Sequence, residues 1–375
     1  MNNSVKILHT ADWHLGAAFS YLSHGKRQTR KTELLLTTEK ILNICQKNEI
    51  PLLLLSGDVF DSNSVDADTV SAFLGSVRRH SDTRVVISAG NHDPLTADSP
   101  FLCSPLPENL YIFGTNDECI YFEDIGVRVY GKSFKNVYMQ SSERFSLIPP
   151  TDDIINIMVL HGDTAADSNY NGITPEFIRN SGMDYIALGH VHTFSGIKQL
   201  DSVYYAYPGC PEPHGFDETG EMGVICAVVS KGKVEHQFVP TAARRHETVR
   251  IDIGAASDNA AAAEIIKTEL RSRFGGTYDK NLYKIILCGE IRENVNISTD
   301  EILGRLTDDV FFAKMRNETR FSVDLQSLSL ENTLKGKFVK AMLERISAEQ
   351  GNKALESALN IGLGAFFTEV KYDEN

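Results

Sequence analysis

The six cysteines of this 375-residue chain, Cys45, Cys103, Cys119, Cys210, Cys226 and Cys288, form no C-x-x-C pair, which excludes the spacing of a zinc knuckle or a thioredoxin-like redox motif. Most lie in apolar stretches, as Cys226 does within 224–229, and read as buried, reduced thiols of a cytoplasmic protein. No apolar run approaches the roughly 18 residues of a spanning helix, and the longest, such as 50–55, are strand-sized. A membrane span is therefore not expected. The N-terminal segment turns polar at His9, Asp12 and His14, before the apolar region of about 7 to 15 residues that an export signal needs. Positive charge is also short: 37 Lys and Arg stand against 50 Asp and Glu, a net of −13. Such a chain does not hold nucleic acid by bulk electrostatics, because phosphate affinity comes from displaced counterions, so a nucleic-acid substrate would need local basic patches or a partner. Repeats and low-complexity segments are absent.

A hydrophobic fraction of 42% and a charged fraction of 23% are those of a folded globular protein. At about 150 residues per domain, the length predicts two to three domains. Strand patterns at 5–9, 51–55 and 84–88 alternate with helical patterns at about 28–47 and 65–77. In the first helix Leu34, Leu35, Ile41, Leu42 and Cys45 recur at helical spacing, and Pro51 lies just beyond its end. Past Asn109 come shorter strands at 111–113, 119–122, 127–130, 154–160, 185–188, 203–207 and 223–229. A β-α-β start followed by hairpin-joined strands predicts an α/β (α+β) chain, a mixed sandwich of sheets with flanking helices. A boundary near 245 divides a domain of residues 1–244 from a small α+β unit at 245–330, with strands at 248–253 and 283–288 around an alanine-rich helix at about 258–273. Residues 331–375 carry two amphipathic helices, 333–346 and 353–367. Phe338, Met342 and Ile346 share one face of the first, either to close the small domain or to dock a partner.

The chemically distinctive residues follow the predicted strands. They are Asp12-Trp13-His14, Gly57-Asp58 with Asp61, Gly90-Asn91-His92-Asp93, His161-Gly162-Asp163 and Gly189-His190-Val191-His192. Five of the eleven histidines fall in these segments. Clusters of Asp, Asn and His suit borderline divalent ions such as manganese, iron or zinc. In an extended segment Asp12 and His14 point to one side, as do His190 and His192, so each pair can deliver two ligands to one site. Asp58 has two carboxylate oxygens and can bridge two metals, which in a hydrolytic binuclear site lie about 3.5 to 4 Å apart. Competing structural roles exist: Asp58 as a helix cap, His161 as a core histidine, Asp93 as either a support for the ligands or a turn residue before Pro94. Asp163 is open in the same way. His9 is expected to pack between layers, Trp13 and Phe19 to pack or shape a cleft rim. His24, His80, His214, His236 and His246 have no motif around them.

The ordered set D-x-H, G-D-x-x-D, G-N-H-D, a lone H and G-H-x-H resembles the calcineurin-like metallophosphoesterase superfamily. That resemblance implies a four-layer α-β-β-α sandwich with a smaller C-terminal α+β capping domain. It further implies one metal on Asp12, His14 and His192, a second on Asn91, His161 and His190, and Asp58 between them. His92 is left off the metals, beside the scissile phosphate as stabiliser or proton donor, with Asp61 at the acidic position that orients it. A hydroxide shared by the metals would attack phosphorus.

The strings His9–Gly16 (HTADWHLG), Ser56–Asp61 (SGDVFD) and Gly90–Asp93 (GNHD) are similar to the bacterial SbcD family of DNA repair exonucleases, with 107–110 also resembling the YhaO branch. Similarity continues through Tyr207-Pro208-Gly209 and 218–223. This implies a manganese-dependent 3′ to 5′ exonuclease on double-stranded ends and an endonuclease on single strands or hairpins, with magnesium, iron or zinc as alternative ions. It implies DNA as substrate, an SbcC-like coiled-coil ATPase as partner, and a homodimer within a heterotetramer. The basic groups available for DNA are Lys26, Arg27, Arg30 and Lys31, then Arg78 and Arg79, then Lys132 and Lys135. The alternatives are a small-molecule phosphodiesterase or phosphatase of the same fold, or a noncatalytic scaffold, whose signature would be lost ligands; none of the seven is missing.

Overall fold

Strands β1 (Ser4–Thr10), β2 (Leu52–Leu55) and β3 (Arg84–Ile87) alternate with helices α1 (His24–Lys47) and α2 (Ala67–Arg79), as the hydrophobic periodicity predicts. The structure is a computed structural model that describes residues 4–139, 145–165 and 168–367. β1, β2 and β3 pair in parallel, and after the short helix α3 (Pro100–Cys103) strand β4 (Leu110–Ile112) joins the same edge in parallel. Right-handed crossovers between parallel strands place α1 and α2 on one face of this sheet. A second sheet comprises β5 (Glu118–Phe122), β6 (Val127–Gly131), β7 (Ile155–His161), β8 (Tyr185–Gly189), β9 (Lys198–Leu200) and β10 (Val203–Ala206), with helix α4 (Pro175–Asn180) between β7 and β8. Within it β6, β7, β8 and β10 run parallel. Strands β11 (Gly223–Ser230) and β12 (Lys233–Pro240) return antiparallel beside β1 and complete the first sheet in the order β12-β11-β1-β2-β3-β4.

Alternate residues of both sheets share one core: Val5 and Ile7, Leu52 and Leu54, Val127 and Val129, Ile155, Ile157 and Val159. The opposite face of the second sheet buries Met158, Leu160, Ile186 and Leu188 with Phe177 and Ile178 of α4. Strands buried on both faces read as continuous apolar runs, and β2, LLLL, is buried at every position. The result is two sheets face to face with helices outside them, and the C-terminal ends of the parallel strands carry the loops in which the candidate ligands occur.

The chain divides after Arg245, and the second compact unit begins at His246. It contains strands β13 (His246–Asp252), β14 (Leu282–Cys288) and β16 (Phe312–Asn317) in a parallel three-stranded sheet, helices α5 (Asn259–Phe274) and α6 (Thr299–Leu306), and a short parallel pair β15 (Glu290–Ile291) and β17 (Arg320–Phe321). Helices α7 (Leu325–Ser329), α8 (Leu334–Ala348) and α9 (Lys353–Phe367) form their own apolar cluster. Phe338, Met342 and Ile346 of α8 are consumed in that cluster with Leu355, Leu359 and Leu363 of α9. The apolar side chains this region turns outward are instead Leu330, Leu334, Ile361 and Phe366. No helix among the described residues is long and apolar enough to cross a membrane.

Arg30 departs from its expected place in a DNA-facing patch. It is fully buried and donates to Glu33 and to Glu212, 2.9 Å from Nη2, and to the Pro213 carbonyl. Thr37 and the Ala243 amide complete the partners of Glu212. Lys132 is likewise 3.1 Å from Asp117 with little exposure, and Arg79 pairs with Glu39. Removing one partner of a buried pair leaves an uncompensated charge, so Arg30→Ala is expected to destabilise the first unit by about 3–5 kcal/mol, measured by urea unfolding; a loss below about 1 kcal/mol, the scale of an exposed pair, would show that Glu212 finds other compensation.

His9 spans the two sheets as expected: Nδ1 accepts from the Tyr185 hydroxyl (2.9 Å) and Nε2 donates to the Leu188 carbonyl (3.2 Å). Burial pulls its pKa from 6.5 to about 3, against a smaller upward effect of the Leu188 bond. Between those values the unfolded chain binds a proton that the folded one refuses, so His9 lowers stability as pH falls through that window. His9→Gln is expected to flatten the pH dependence of unfolding between about pH 6 and 4 by about 1.4 kcal/mol per pH unit; an unchanged slope would mean that His9 is charged in the fold.

Candidate metal centre

The loops after β1 and β2 continue side by side beyond the sheet. The amides of Asp12 and His14 donate to the carbonyls of Gly57 and Asp58, each at 3.0 Å, and Leu15 donates to Val59. This course forces Asp12, His14 and Asp58 to positive φ (55°, 44° and 50°), and His190, after β8, to 103°. Each such non-glycine residue costs on the order of 1–3 kcal/mol, a cost concentrated at functional sites. Two motif glycines are explained by close approach. A Cβ on Gly90 would fall on the Asp58 carboxylate, and one on Gly189 on the Ser56 carbonyl oxygen.

Asp58 lies at the centre. Its Oδ2 is 3.3 Å from His161 Nε2 and 3.8 Å from His14 Nε2, while Oδ1 accepts the His92 amide at 2.9 Å. On one side Asp12, His14 and His192 converge, with His14 and His192 Nε2 atoms 3.4 Å apart and His192 Nε2 4.0 Å from Asp12 Oδ1. On the other, His161 Nε2 is 2.9 Å from Asn91 Oδ1, and the His190 ring lies edge-on to that of His161 at 5.3 Å. The His190 amide donates to both oxygens of Asp12. All seven candidate ligands therefore meet at the ends of strands from both sheets. His92 is exposed at the rim, its ring 4.7 Å from that of His14. Asp61 touches it through the main chain: the Asp61 carbonyl accepts from His92 Nδ1 at 3.0 Å, while the Asp61 carboxylate is 3.3 Å from His14 Nδ1. Asp93 proves to be a brace, fully buried and accepting the amides of Val59, Phe60 and Gly90, so it ties the second and third motif loops together. Burial and the nearby Asp58 push its pKa up to about 6. Asp163 caps a turn through the Ala165 amide.

Asp12 and Asp58 are buried, and among the described residues every ion pair to them comes from histidine, none from Lys or Arg. Burial disfavours charge on His161, but Asp58 and then Asp12 outweigh it and raise its pKa to about 9. His192 reaches about 9 against its own burial through Glu218 and Asp12. Asp58 is held far below the usual carboxylate range by His161 and His14 despite its burial. Buried carboxylates whose positive partners are imidazoles with Nε2 turned inward are a donor set for a divalent cation, which replaces the protons and compensates the charge. The residues fit a divalent centre, in which Asp12, His14 and His192 would hold one ion and Asn91, His161 and His190 a second, with Asp58 between them.

The family model for calcineurin-like phosphoesterases matches residues 5–194, the span that carries these loops. The chain belongs to the calcineurin-like phosphoesterase family. It is thus a metallophosphoesterase-type hydrolase. The protein named uncharacterized metallophosphoesterase YhaO of Bacillus subtilis is 24% identical over 282 residues, covering 71% of this chain and 68% of that one. Two archaeal proteins named DNA double-strand break repair protein Mre11 are each 24% identical: that of Methanopyrus kandleri over 263 residues (63% of this chain, 56% of that one) and that of Aeropyrum pernix over 269 (66% and 64%). The chain thus spans somewhat more than half the length of these two relatives.

Two residues at this metallophosphoesterase centre carry no ligand motif. Glu218 accepts from His192 Nδ1 and, through its other oxygen, from the His214 amide. The His214 ring stands 5.1 Å from that of His14. Both lie far along the chain from D-x-H and G-H-x-H, and His214 stands alone in sequence. The sequence signal for Glu218 is its segment, 218–223, which belongs to the longer similarity. A carboxylate behind a ligating imidazole fixes its ring and leaves Nε2 for the metal. Asp58→Asn is expected to strip most metal from the desalted protein, because the shared carboxylate serves both ions; elemental analysis giving wild-type metal content would remove Asp58 from the bridge.

Proposed function

We propose that the chain is a manganese-dependent DNA nuclease, a 3′ to 5′ exonuclease on double-stranded ends and an endonuclease on single strands or hairpins. The observation that carries this reading is an exposed imidazole, His92, at the rim of a buried Asp and His cluster, in a chain similar to proteins named for DNA double-strand break repair. Divalent ions held by those residues would supply positive charge to a phosphodiester and an activated water. The chain's own groups do the rest. His92 Nδ1 is fixed by the Asp61 carbonyl, an acceptor only, so Nδ1 carries hydrogen and Nε2 is the atom left to exchange a proton with the leaving oxygen. Asp58 Oδ1 on the His92 amide ties the backbone of that residue to the buried carboxylate at the centre of the cluster.

The partner we propose is an SbcC-like coiled-coil ATPase, engaged by a homodimer of this chain in a heterotetramer. The outward apolar residues Leu330, Leu334, Ile361 and Phe366 support this docking role for the C-terminal helices. A net charge of −13 supports it too, since a partner can carry phosphate contacts beyond the few basic groups this chain offers.

The test is cleavage of end-labelled linear duplex by the purified chain with manganese, an EDTA control and His92→Ala. We expect shortening from 3′ ends and a fall of about 10²- to 10⁴-fold in the variant, with its metal content retained. Full activity in His92→Ala would remove that residue from the mechanism. Intact DNA, both with and without the ATPase partner, together with hydrolysis of a simple phosphodiester, would replace the nuclease by a small-molecule phosphodiesterase.

A further inference from the structure

The segment 132–139 forms a wall beside the metal centre, and the mechanism above does not use it. It is fastened to the third motif loop: the Phe134 amide donates to Ala89, the Leu95 amide to the Phe134 carbonyl, and the Ala89 amide to Ser133 Oγ. The Phe134 ring lies edge-on to His161 at 5.7 Å. At its far end Met139 pairs with the chain at Tyr170, its amide donating to Asn169 and its carbonyl accepting from Asn171. That pairing sets the Tyr138 ring 5.6 Å from the ring of Tyr170, which in turn lies 5.0 Å from that of His190. A run of rings therefore leads from a metal ligand to the surface, ending at Tyr138, which is 59% exposed. Tyr138 borders a cavity of about 230 Å³ whose wall also includes Asn116, Lys132 and Lys135. Lys135 is exposed and, unlike Lys132, has no ion pair among the described residues.

An exposed ring offers a face on which a flat apolar group can stack, and a cation with no carboxylate paired to it among the described residues attracts an anion. A nucleotide presents both, a base and a phosphate, at adjacent positions on one strand. We propose that Tyr138 and Lys135 form a subsite for single-stranded DNA next to the metal centre: a base stacks on Tyr138 and its phosphate meets Lys135, while the neighbouring phosphodiester lies on the His190 side of that centre. This rests on the nuclease reading and deepens it, since the subsite grips a strand that has left the duplex at the cleavage point.

The experiment uses the full chain in EDTA, so that no cleavage occurs, and a single-stranded oligonucleotide with 2-aminopurine near its 3′ end. Stacking on tyrosine quenches that base. Wild type is expected to bind with quenching. Tyr138→Ala is expected to weaken binding by roughly 5- to 150-fold, the range of one base–aromatic stack, and to lose the quenching; Tyr138→Phe is expected to keep both. Lys135→Ala is expected to weaken binding and lower the salt dependence by about one phosphate contact. An unchanged melting temperature in each variant excludes misfolding. If wild type cleaves DNA but Tyr138→Ala binds and quenches as wild type does, the subsite is overturned and the nuclease reading stands. If wild type neither binds nor cleaves DNA, even with the ATPase partner added for cleavage, both are overturned.

Discussion

The architecture of the first unit turns on the burial of two carboxylates, Asp12 and Asp58, where among the described residues the only cationic side chains that reach them are histidines. A carboxylate removed from water without a strong cation beside it is costly. Here the fold directs amides at them, from His190 to Asp12 and from His92 to Asp58, and surrounds them with histidines. An arrangement this acidic and this rich in inward imidazole nitrogen is satisfied by a divalent ion. The left-handed backbone at four of the ligands has the same origin, because it turns amides and side chains toward one point.

Parallel strands make the convergence possible. Residues at the ends of β1, β2 and β3 in one sheet and of β7 and β8 in the other arrive at a common edge, so ligands more than a hundred positions apart become neighbours. The brace at Asp93 and the contact of Glu218 with His192 lock the loops whose ends would otherwise move independently. Glu218 is held far below the usual carboxylate range by His192 and His214 despite burial, so it remains an acceptor and fixes the proton of His192 at Nδ1.

The strands next to the centre were legible because burial on both faces leaves a dense apolar run, and the ligands because each follows such a run. Elements with a weak pattern of their own were not. β12, KVEHQFVP, is polar and largely exposed, and its pairing depends on β11 rather than on its own pattern. α6 buries only Ile302 and Leu306 in eight residues, too few to establish a period, and β16 lies at the rim of its sheet. Arg30 was misplaced for a related reason. In a helix rich in charge, Lys26, Arg27, Arg30 and Lys31 look alike, and only the approach of Glu212 from 182 positions away shows which of them is buried. The role of the Asp61 carboxylate was invisible too, since sequence cannot separate a contact made by the main chain from one made by the side chain.

These ion pairs bear on how a polyanion would reach the centre. Of the basic groups in the candidate patches, Arg30, Arg79 and Lys132 each answer a carboxylate of the same chain, and the overall charge is strongly negative. Long-range attraction is therefore weak, and screening at about 8 Å in physiological salt weakens it further. For the DNA substrate proposed above, recognition would then rest on short-range terms: cations held among the buried carboxylates, hydrogen bonds at the rim, and contact of bases with exposed rings. Such terms act only once a strand is already in place, which is the physical ground for proposing a partner surface that holds and delivers it.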